Sequence, residues 1–79
     1  MNATDKLRDA FARALYLDSA GISEELAYNS IPEWDSVAHM ALVAELERSF
    51  DVMLDTDEII DMSSFGKARQ ILARHGVEF

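Results

Sequence analysis

The stretch PEWDSVAHMALVAELERSF, residues 32–50, decides how this chain folds. A proline-led loop turns there into an amphipathic helix over residues 36–50. At about 100° per residue, His39, Leu42, Val43, Leu46 and Phe50 share one face, the expected core side. Val37, Ala41, Ala44, Glu45 and Arg48 fall on the other side, with Met40 near the border. A simple surface helix would be more polar there. Small and apolar residues edged by charge suit a docking surface. The Asp35-Ser36 pair at the helix start has two readings. Either residue can cap the orphan N–H groups, a contribution of roughly 1 kcal/mol. The positive end of a helix also favours a phosphate, so Ser36 is a candidate attachment point.

Upstream, Leu7, Ala10, Phe11, Ala14 and Leu15 recur at helical spacing and predict a helix over residues 4–17, capped by Thr4 with Asp5 in its first turn. Residues 18–35 form a long connection containing Gly21 and Pro32, with Leu26 and Tyr28 expected to pin it to the core. Connections of this length in compact domains are often functional. Downstream, Thr56 caps a short predicted helix over residues 56–61, with Asp57 and Glu58 at its positive end and Ile59 and Met62 facing inward. Ser63 or Ser64 caps a last helix over residues 64–75, whose core stripe is Phe65, Ala68, Ile71 and Leu72 and whose stop is Gly76. The expected fold is all-α, a small four-helix bundle. It has three longer helices, a short third helix and a long loop between helices one and two.

Seventy-nine residues make a single domain, residues 1–79, with a thin core and little room for a walled active site. The absence of cysteine excludes a disulfide framework, a thiolate nucleophile and a Cys-ligated zinc site, so any thiol chemistry needs a group added from outside. No apolar run approaches the ~20 residues of a membrane span, and the polar start MNATDKLRDA does not suit a secretory signal. A soluble, cytoplasmic monomer is expected. The net charge of −8 is concentrated: residues 18–61 hold twelve acids against Arg48 alone, whereas residues 1–17 sum to +1 and residues 62–79 to +2. Such a field repels nucleic acid and favours a basic protein partner.

Three other constellations are weaker. Ser36 and His39 are three apart, but a Ser-His nucleophile also needs an orienting acid and an oxyanion site, and the helix turns His39 toward the core. Asp51, Asp55, Asp57, Glu58 and Asp61 cluster, yet a calcium loop counted from Asp55 places Ile60 where glycine is required. Neither His39 nor His75 belongs to a spaced ligand set, so no metal is expected.

With Trp34-Asp35-Ser36-Val37 followed by Met40, Leu42, Val43, Leu46, Glu47 and Phe50, the sequence resembles the acyl carrier protein family, the phosphopantetheine-bearing carriers. The likeness runs from about Leu7 to Leu72. It rests on an Asp-Ser pair opening the second helix, the helix order, the long loop and the acid-rich ELERSFDVMLDTDEI segment. The resemblance implies a carrier, not an enzyme. A phosphopantetheinyl transferase would attach 4'-phosphopantetheine from coenzyme A covalently to Ser36, with Asp35 assisting by contact with the transferase or its metal. The arm's thiol would then hold an acyl or aminoacyl group as a thioester. An activating ligase, acyltransferase or synthase would load or unload it. Implied docking residues are Val37, Met40, Ala41, Ala44, Glu45, Glu47, Arg48, Asp57 and Glu58. Val37 replaces the usual Leu, and Ala38, Ala41 and Arg48 stand where carriers of primary fatty acid synthesis are acidic. Those departures favour a dedicated pathway over housekeeping synthesis, with more apolar and less electrostatic docking. The alternative is a helical protein-interaction module with no prosthetic group.

Overall fold

The structure, a computed structural model, describes residues 2–79. Four α-helices follow in order: α1 Ala3–Leu15, α2 Ser36–Phe50, α3 Thr56–Asp61 and α4 Phe65–Arg74. The described residues form no strand, only an isolated bridge between Ala27 and Ser64. This is the all-α four-helix bundle expected, with the long first connection and short third helix in place.

All four helix starts use side-chain caps, that of α2 being Asp35. The Asn2 side chain accepts from Asp5 N–H at 2.8 Å, so Asn2 and not Thr4 caps α1. Asp55 closes α3 with a full capping box: its carboxylate accepts from Glu58 N–H while Glu58 accepts from Asp55 N–H. Thr56 is therefore the first helical residue and not the cap. Ser64 caps α4 by accepting from Lys67 N–H at 3.0 Å. α1 stops at Leu15, two residues short of the expected end, because Tyr16 takes a left-handed backbone (φ 57) and Leu17 N–H turns back to Ala12 C=O.

α1 and α2 pack most extensively, and the expected stripes meet there. Leu7, Phe11 and Leu15 of α1, Leu42 and Leu46 of α2, and Phe65, Ile71 and Leu72 of α4 are essentially without solvent exposure. Leu26 is buried as expected, while Tyr28 is partly exposed. The largest fully buried side chain comes from the connection: Trp34, 0% exposed, stands edge-on to Phe11 with ring centroids 5.4 Å apart. A short 3-10 turn, Ser19–Gly21, shapes the earlier part of that connection. α3 is the least anchored element. None of its residues is fully buried; the partly buried Ile59 and, just beyond its end, Met62 attach it to the core.

Candidate functional site

The start of α2 is built by Asp35. Its backbone is extended (φ −105, ψ −172), and its Oδ1 accepts from Ala38 N–H at 2.8 Å. Its C=O accepts the first helical bond, from His39 N–H. Of the two candidate caps, Asp35 does the capping. Ser36 is the first helical residue, exposed to solvent at the positive end of a helix of 15 residues.

Behind Ser36 the chain is fixed by Trp34. Its backbone N–H donates to Ile31 C=O at 3.2 Å, and its C=O accepts from Asn29 N–H at 3.1 Å. Its indole N–H donates to His39 Nδ1 at 3.0 Å. An indole nitrogen can only donate, so Nδ1 must accept and the imidazole proton sits on Nε2. Nε2 then donates to Ile59 C=O of α3 at 2.8 Å. Both ring nitrogens are thus occupied, and neither is free to act as a base toward Ser36. His39 packs at the core edge, stacked on Trp34 and edge-on to Tyr28.

Between α2 and α3 lies a cleft of about 230 Å³, lined by Tyr28, His39, Ile59, Ile60, Met62 and Ser63. Its wall includes His39, one helical turn beyond Ser36. Among the described residues, no group of three acidic or histidine side chains is placed to hold a metal ion. No described helix is long and apolar enough to cross a membrane.

The residues singled out for docking divide into two sets. Val37 (79% exposed), Met40 (55%), Ala41, Ala44, Arg48 and Asp57 are open to solvent. Glu45, Glu47 and Glu58 are tied into the fold. Arg48 Nη2 reaches both oxygens of Glu45, at 2.6 and 2.7 Å, and Arg13 of α1 adds a contact at 3.1 Å. The Arg48 hydrogen bond is the main cause holding the Glu45 carboxyl below its ordinary range; partial burial opposes it and Arg13 reinforces it. Glu47 accepts from Leu54 N–H at 2.9 Å and so fixes the loop leading to α3. Glu58, besides completing its capping box, meets His75 Nε2 at 2.9 Å. That contact, and then the Asp55 N–H, hold its carboxyl low.

Sequence reasoning missed Ile60, 74% exposed at the cleft, and Tyr28 as a cleft wall. The signal for Ile60 was present, because Ile59 and Ile60 are adjacent on a one-and-a-half-turn helix and cannot both face inward. No protein-family model matches this chain, and no curated protein matches it either.

Proposed function

We propose that this chain is a carrier: Ser36 takes a 4'-phosphopantetheine arm from coenzyme A, and acyl or aminoacyl groups travel on that arm between partner enzymes. The observation that carries the reading is the division of labour at the start of α2. Asp35 closes the helix, so Ser36 is not needed as a cap and stands exposed where a phosphate is favoured. The residues fit the group. Ser36 would bond it, the positive helix end would face its phosphodiester, and the nearby apolar cleft offers shelter to a short chain. Once attached, the arm supplies the thiol that a cysteine-free chain lacks.

Asp35 keeps a carboxylate beside Ser36 and in this reading would meet a transferase or its Mg²⁺. Val37 and Met40, exposed in the first turns of α2, offer apolar contacts to the transferase and to a ligase, acyltransferase or synthase. With Glu45, Glu47 and Glu58 engaged inside the chain, a dedicated partner that reads apolar shape suits this face better than one that reads acidity. The test is intact mass after incubation with coenzyme A, Mg²⁺ and a permissive phosphopantetheinyl transferase. A gain of one phosphopantetheine, absent in Ser36→Ala, is the expected result. No gain with several transferases would overturn the proposal and leave the exposed Val37–Met40 face as that of an interaction module without a prosthetic group.

A further inference from the structure

We infer that His39 is a two-sided clasp: one ring nitrogen holds the segment that precedes Ser36, and the other holds α3 shut over the cleft. The inference stands on the bare chain and does not need the carrier reading.

The Nδ1 side grips Trp34, two residues before Ser36, and Trp34 C=O in turn holds Asn29 N–H. The Nε2 side grips the Ile59 carbonyl in the middle of α3. No residue of α3 is fully buried, and Ile60 points largely to solvent. The other ties of α3 to the bundle are the partly buried Ile59 side chain against the core, the contacts of Glu58 with His75 and of Asp61 with Lys67, both toward α4, and the buried Met62 at its end. The His39 bond is the hydrogen bond that ties α3 to α2, and the cleft lies between these two helices with His39, Ile59 and Ile60 in its wall. A short element with no fully buried residue opens as a unit before the core does. Losing the Nε2 bond therefore frees α3 to swing from the cleft. Losing the Nδ1 bond frees the Trp34 segment and leaves α3 in place.

Two conservative variants separate the two sides. An asparagine amide reaches the place of Nδ1 but not that of Nε2; a glutamine amide reaches the place of Nε2. Amide hydrogen exchange reads both. Ile59 and Ile60 amides report α3, the Asn29 amide reports the Trp34 segment, and Leu46 within α2 is the internal reference. In His39→Asn, Ile59 and Ile60 should exchange about five- to tenfold faster relative to Leu46, the loss expected for one hydrogen bond, with Asn29 unchanged. In His39→Gln, α3 protection should return to the wild-type ratio while Asn29 speeds up. Equal effects of both variants on both reporters, or none on either, would overturn the clasp. Should the variants not fold, wild-type exchange at rising low urea decides. Ile59 and Ile60 opening ahead of Leu46 supports the inference, and their exchange only through global unfolding refutes it.

Discussion

Replacing Trp34 by phenylalanine removes the central piece of this core, and the cost can be worked from its surroundings. The indole is fully buried, edge-on to Phe11 and Tyr28 and stacked on His39. Trp34→Phe leaves His39 Nδ1 a buried acceptor with no donor, a loss of roughly 1–3 kcal/mol. The smaller ring leaves about 35–40 Å³ unfilled, or ~1 kcal/mol at the usual cavity coefficient. Together these come to about 2–4 kcal/mol. A chain of 79 residues has a total stability of roughly 4–12 kcal/mol, so the variant should be folded but marginal. Urea unfolding followed by far-UV circular dichroism measures it: the midpoint should fall with the slope unchanged. A double-mutant cycle with His39→Leu isolates the hydrogen bond. With both partners apolar, no buried polar atom of the pair is stranded, so the double variant should cost about 1–2 kcal/mol less than the sum of the singles. Additivity within ~0.5 kcal/mol would refute the claim that this bond organises the site.

Asp35→Ala should cost about 1 kcal/mol through loss of the cap, whereas Ser36→Ala should change stability by less than ~0.5 kcal/mol; thermal unfolding of both variants compares them. The reverse order would return Ser36 to a structural role. Glu58 has its carboxyl held low in the fold, so its contribution is full above the unfolded value of roughly 4.3 and is lost as pH falls through the folded value. The stability gap between wild type and Glu58→Gln should therefore shrink as pH falls below about 4.5; a gap undiminished at about pH 3 contradicts this. Tyr16→Gly should stabilise by about 0.5–1 kcal/mol, since this 93% exposed side chain packs on little and its left-handed backbone suits glycine. Lower thermal stability of that variant would show that the ring contributes more than its exposure indicates.

Much of the fold was legible because α2 states its own limits. Asp35, the apolar spacing through Leu46 and the end at Phe50 are all local, and the helix runs over the residues the pattern gives. The caps at Asn2 and Asp55 were not read correctly, because Thr4 and Thr56 compete with them one or two places along and backbone geometry decides between neighbours. Trp34 was not legible as the core's centre. It stands between Glu33 and Asp35 in an aperiodic loop, and only tertiary packing gives it a face. At the site, Ser36 and the open apolar face of Val37 and Met40 could be read from the helix wheel. The commitment of Glu45 to Arg13, of Glu47 to Leu54 and of Glu58 to His75 could not, since each joins residues apart in the chain through the way the helices meet.

The position of Trp34 has an optical consequence. It is the only tryptophan in the sequence, sealed from water, stacked on an imidazole ring and two residues from Ser36. Its intrinsic fluorescence thus arises wholly from the junction where the long loop, α2 and, through His39, α3 are joined. Emission should be blue-shifted while the junction is closed and move to the red when the indole meets water. Events at Ser36 or in α3 can be followed by light from the unlabelled protein, with no second indole to dilute the signal.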